Sequence, residues 1–135
     1  MGERWQSMMI PPHSERAGEV RVVLPWPDRM LSPNARVHWS QKAKVVRAAR
    51  NAAWALSLEA KVPRMSVSAR PRVEIEFCPP DRRRRDTDNC IASAKASMDG
   101  LADALGVDDS RFISTYRMAD PVKGGAVIVT VRGIE

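Results

Sequence analysis

PRVEIEFCPPDRRRRDTDNCIASAKASMDGLADALG, residues 71–106, changes its period halfway along and thereby decides the fold. Val73, Ile75 and Phe77 alternate with Arg72, Glu74 and Glu76, as the two faces of a half-buried strand require. Pro79-Pro80 ends that strand and delivers the chain into four consecutive arginines. Beyond them Ile91, Ala94, Met98, Leu101, Ala102 and Leu105 recur at helical spacing. The spacing predicts one helix from about Asp88 to Leu105, capped by Thr87 or Asp88 and stopped by Gly106.

Working outward, residues 19–24, EVRVVL, read as a first strand, stopped by Pro25 and Pro27 with Trp26 as a packing anchor. A loop with a Ser32-Pro33-Asn34 turn leads to Ser40, the expected cap of a helix running to about Ala60. Val46, Ala49, Ala53 and Leu56 are expected to face the core from that helix. Lys44, Arg47 and Asn51 fall on another face, either a track for a phosphate backbone or a solvated surface. Downstream of the acidic stretch, residues 111–119 and 126–132 read as two further strands joined by a turn at Pro121 to Gly125. The order β-α-β-α-β-β implies an α+β (α/β) domain: a small mixed four-stranded sheet with two main helices packed on it. Residues 1–18 show no period and are expected as a flexible extension to a single domain over residues 19–135.

Composition narrows the function. A chain of 135 residues with 28% charged and 44% hydrophobic content can bury a core without staples. A net charge of +6 and a pI near 10.0 favour a polyanionic partner, nucleic acid first. Aromatics at 5% argue against a platform that stacks a run of single-stranded bases. Cys78 and Cys90 match no zinc spacing and read as reduced thiols of a cytoplasmic, nucleoid-associated protein. No apolar run approaches membrane-spanning length, so no membrane partner is expected. With His13 and His38 the only histidines, hydrolytic chemistry would rest on carboxylates and lysine.

Such carboxylates are concentrated. Seven of the 16 acidic residues lie within residues 81–109: Asp81, Asp86, Asp88, Asp99, Asp103, Asp108 and Asp109. At about 100° per residue, Asp88, Lys95 and Asp99 fall within roughly 20° of one line along a continuous helix. Oxygen donors of this kind suit Mg²⁺ or Mn²⁺, which share phosphate oxygens with a substrate and activate water. Lys95 and the arginines would offset the charge that develops in phosphodiester hydrolysis. Plainer readings stand beside this one. An Asp-x-Asp pair caps turns, an arginine run forms a nonspecific basic patch, and Lys95 pairs with Asp99 on a helix surface. Asp103 can be plain helix surface and Asp108-Asp109 a loop cap. A metal-dependent nuclease and a non-catalytic basic DNA-binding protein both fit the residues alone.

DRRRRDTDN, KASMDGL and GVDDS in succession resemble the RusA family of Holliday junction resolvases, found in bacteria and their prophages. LPWP, the Ser-Pro-Asn loop and TYRMADPVKGGAVIVTV extend the likeness over residues 20–132. The resemblance implies a homodimer that binds branched DNA, the four-way junction, and resolves it by paired symmetric nicks in recombination and repair. Mg²⁺ is the implied cofactor, with Mn²⁺ as a substitute. The family's catalytic, metal-holding aspartates carry over to Asp86, Asp88 and Asp109, and its lysine to Lys95. Asn89 would orient a carboxylate. Arg82, Arg83, Arg84 and Arg85 would hold phosphates, with further DNA contacts expected at Asn34, Lys44, Arg47 and Lys123. A less selective nuclease for flaps is the alternative within the same chemistry.

Overall fold

Four strands, β1 (Glu19–Pro25), β2 (Arg72–Cys78), β3 (Ile113–Met118) and β4 (Ala126–Arg132), form one mixed sheet in the order β1-β4-β2-β3. Among the described residues three α-helices, α1 (Trp39–Glu59), α2 (Thr87–Ser93) and α3 (Lys95–Leu105), complete the α+β domain. The computed structural model describes residues 18–133, so all but the last residue of the extension expected over residues 1–18 lies outside the described residues. β4 runs antiparallel to both β1 and β2, whereas β2 and β3 are parallel, joined through α2 and α3. A parallel pair needs such a crossover, and here the crossover carries the acidic stretch.

Alternation in β2 does what its sequence requires. Val73, Ile75 and Phe77 are buried against the helices with Val22, Leu24, Val127, Val129, Leu101 and Leu105. On the opposite face Glu74 and Glu76 accept from Arg132 at 3.3 Å and Arg117 at 2.5 Å. Cross-strand pairs of opposite charge of this kind set register as well as stability. Trp26, the expected anchor, places its ring edge-on to Phe77 at 6.4 Å.

The helices depart from expectation in several ways. His38, not Ser40, caps α1: its Nδ1 accepts from the Ser40 N–H at 3.2 Å. An imidazole nitrogen supplies the acceptor that the orphan amide needs. Val46 is 37% exposed instead of facing the core. The N-terminal half of α1 lies beside the Trp26–Leu31 loop, where Val45 and Ala49 turn inward with Ser97 of α3, and farther along α1 crosses α3 at Arg50 and Ala53. At that crossing a β-carbon on Gly100 would fall 2.2 Å from the Arg50 carbonyl oxygen, so glycine is what lets the helices touch.

The third departure bears on the site. The helix expected from Asp88 to Leu105 is two helices, separated at Ala94. Ser93 Oγ donates to the Asn89 carbonyl at 2.8 Å, a back-bond to the preceding turn of the kind that bends helices. Ala94, 1% exposed, packs into the core at the break. A straight line from Asp88 to Lys95 therefore crosses a discontinuity, and only Lys95 and Asp99 share one helix.

Candidate functional site

Asp81 organises the arginine run. Its carboxylate accepts from the Arg83 N–H at 2.9 Å and from Arg85 Nη1 at 2.8 Å. These bonds, the Arg85 one foremost, hold its carboxyl well below the usual range, at about 2. Arg85 also donates to the Arg83 carbonyl and lays its guanidinium 5.4 Å from the centre of the Trp26 ring. It is thus a half-buried strut of the loop. Arg82, Arg83 and Arg84 are left exposed.

Asp86 follows as the cap of α2, a role expected of Thr87 or Asp88. Its extended backbone (φ −83°, ψ 123°) turns Oδ1 onto the Asp88 N–H at 3.0 Å. Asp88 lies in the first turn with its side chain in solvent. Among the described residues no lysine or arginine forms an ion pair with Asp86 or Asp88.

Lys95 begins α3 and gathers the other acids. Its Nζ donates to Asp99 Oδ1 at 2.7 Å, an i,i+4 pair, and to Asp109 Oδ2 across the sequence. Asp109 is brought there because Gly106, at φ 72°, ends α3 and the chain returns through a 3₁₀ turn over Asp109–Arg111. Asp108 caps that turn, accepting from the Ser110 N–H at 2.9 Å, and this bond lowers its pKa. Of the Asp108-Asp109 pair, the first is therefore structural and the second faces the lysine. The two carboxylates, Asp109 foremost, raise the Lys95 pKa above its ordinary 10.5, so the ammonium stays charged at neutral pH.

Asp86, Asp88, Lys95 and Asp109 thus occupy three element starts, and they meet as two separate pairs: Asp86 with the Asp88 N–H, and Lys95 with Asp109. Among the described residues no three His, Cys, Asp or Glu side chains gather at metal-holding range. Donor chemistry nevertheless suits Mg²⁺, which commonly takes one or two carboxylates and fills its remaining positions with water and phosphate oxygens. Asp86 and Asp88 are the carboxylates that could hold such an ion.

Two features of the surroundings carry no sequence signal. Arg50 on α1 makes a two-pronged pair with Asp103 on α3, at 2.7 and 2.8 Å, so Asp103 is a tether between helices. Arg64 lies against Gly106, and with Arg50, Asp99, Asp103 and Asp109 it lines a cleft of about 460 Å³. A second hollow, about 300 Å³, runs from Arg84, Asp86 and Asn89 to Arg29 and Ser32. Asn34 lines the next hollow along, while Lys44 and Arg47 stand exposed on α1 and Lys123 on the β3–β4 turn. Cys78 and Cys90 are buried free thiols, their pKa values raised by that burial. No helix among the described residues is long and apolar enough to cross a membrane.

No family model matches the chain. It is 43% identical over 116 residues to an uncharacterized protein of Xylella fastidiosa, an alignment taking in 84% of this chain and 76% of the relative. The chain belongs to that protein's family. The aligned stretch is too long to leave out the arginine run and the acids that follow it.

Proposed function

We propose that this protein is a Mg²⁺-dependent endodeoxyribonuclease of the RusA type, cutting four-way DNA junctions by paired nicks. One observation carries the reading. Three exposed arginines lead directly into Asp86 and Asp88, two exposed carboxylates with no basic partner among the described residues. Carboxylates repel DNA, so a protein that merely binds it gains nothing from them beside its phosphate-holding arginines. A divalent cation between acid and phosphate removes the conflict.

Asp86 and Asp88 would hold the ion, which when bound polarises a phosphoryl oxygen and offsets charge on the substrate. Asp109, the third carboxylate of the resemblance, is held by Lys95. Arg82, Arg83 and Arg84 would take flanking phosphates, and Arg85 keeps their loop in place through Asp81. Lys95, with its raised pKa, acts as a positive charge and not as a base. A homodimer would present one such site to each of the two symmetric strands of a junction. Action on chromosomal or prophage recombination intermediates would place the protein with cytoplasmic DNA.

The test is cleavage of a synthetic four-way junction, in Mg²⁺ and in EDTA, beside a linear duplex of matching sequence. Symmetric nicks on the junction alone, lost in EDTA, are expected. Equal cutting of flaps and three-way forks would assign a less selective nuclease. Tight binding without product in Mg²⁺ or Mn²⁺ would reduce the protein to a DNA binder.

A further inference from the structure

The loop before α1 carries a feature that phosphate contacts leave unexplained. Trp39, the first residue of α1, is 76% exposed. An indole left in water forgoes burial that ordinarily stabilises a fold, and such exposed aromatics mark binding surfaces. Its ring lies 5.6 Å from that of His38, tilted by 33°, so the two present adjoining flat faces. His38 in turn lines a hollow of about 580 Å³, together with Arg29, Asn34, Arg36 and Gln41. That size is within the range of ligand sites, about 300–1,000 Å³.

Three observations commit the hollow to one occupant. It shares Arg29 and Ser32 with the hollow that reaches Arg84, Asp86 and Asn89, so a chain entering at the acidic corner can continue to His38, whose ring adjoins that of Trp39. Its charged lining residues, Arg29 and Arg36, are both cationic. Asn34 and Gln41 each offer an amide donor and acceptor, the pairing that base edges recognise. The walls are also set in advance. Asp28 accepts from the Met30 N–H at 2.8 Å, the Ala35 N–H bonds the Ser32 carbonyl at 3.0 Å, and Leu31 is buried beneath.

We infer that this loop is a single-base subsite: an unpaired nucleobase of branched DNA stacks on Trp39 while Arg29 and Arg36 hold its phosphates. This rests on the nuclease reading above and deepens it, giving the protein a way to distinguish a branch point from continuous duplex. One indole cannot serve a run of bases, but one base displaced at a junction needs only one.

The full-length protein is titrated in EDTA, which prevents cleavage, with two DNAs carrying 2-aminopurine. One is a duplex with a single unpaired 2-aminopurine, the other the same duplex fully paired. Wild type is expected to quench the unpaired probe and to bind it more tightly. Trp39→Ala should lose about tenfold or more on the unpaired probe, the stacking contribution of one base, and less than about twofold on the paired one. Trp39→Phe, which keeps a stacking face, should recover most of the loss. Equal losses on both DNAs, or none on either, would overturn the subsite. Wild type that binds and cuts junctions while Trp39→Ala matches it removes only the subsite. Wild type that binds neither DNA removes the nuclease reading as well.

Discussion

Two pairs of carboxylates lie in the same crossover, and they are treated oppositely. Asp99 and Asp109 converge on Lys95, so both are ion-paired within the protein. Asp86 and Asp88 sit beside four arginines, yet the one arginine that turns inward takes Asp81 instead. The nearest cations thus pass over the carboxylates at the head of α2. Charge balanced internally builds structure, as the Arg50–Asp103 tether also does. Charge left unbalanced at an exposed corner is available to something outside, and in the proposed function a metal with a phosphate would be the partner that also satisfies the arginines.

Removing the unbalanced charge should have the largest effect. Asp88→Asn is expected to lower junction cleavage in Mg²⁺ by about a hundredfold or more while leaving junction binding intact or stronger. Gel assays of nicking and of binding on one substrate separate the two. An equally active variant would take Asp88 out of the reaction.

Disturbing the scaffold of the balanced group comes next. Gly100→Ala places a methyl group against the Arg50 carbonyl and must push α3, which carries Lys95 and Asp99, away from α1. A cost of about 1–3 kcal/mol is expected, as for other overpacked contacts, read as a lower urea midpoint. An unchanged midpoint would mean that the helices part without loss.

Trimming the balanced group itself should matter least. In Asp99→Asn, Lys95 keeps Asp109, the larger cause of its raised pKa, and loses the lesser one. Because the folded-state pKa lies above 10.5, the contribution of these pairs is fully present below that value and is lost as pH rises through the raised one. Wild-type cleavage should therefore show no lysine ionisation between about pH 6 and 9, and the variant's alkaline limb should begin earlier with its neutral rate within about tenfold. A wild-type pH–rate profile with a lysine limb near neutrality would show that the Lys95 pairs do not persist on DNA.

The sheet was readable because a period-2 pattern survives any packing that buries one face, and β2 states it in five residues from Val73 to Phe77. The break at Ala94 was not readable. Ala92, Ser93, Ala94 and Lys95 carry no glycine or proline, and the bend comes with a serine hydroxyl turned back onto its own helix. Val46 and Val45 are equally apolar, so only the neighbours of α1 decide which of them turns inward.

Sequence by itself determined the local elements and where carboxylates, arginines and lysine stand along them. Periodicity, proline breaks, a glycine stop and short-range capping are properties of neighbours in the chain. Tertiary structure alone decided which charges distant in the chain meet. Lys95 finds Asp109 fourteen residues on, and Arg50 finds Asp103 across 53 residues, because Coulomb attraction depends on separation through space and only folding sets that separation. What the fold leaves without a basic partner at Asp86 and Asp88 is the charge on which the proposed metal site depends.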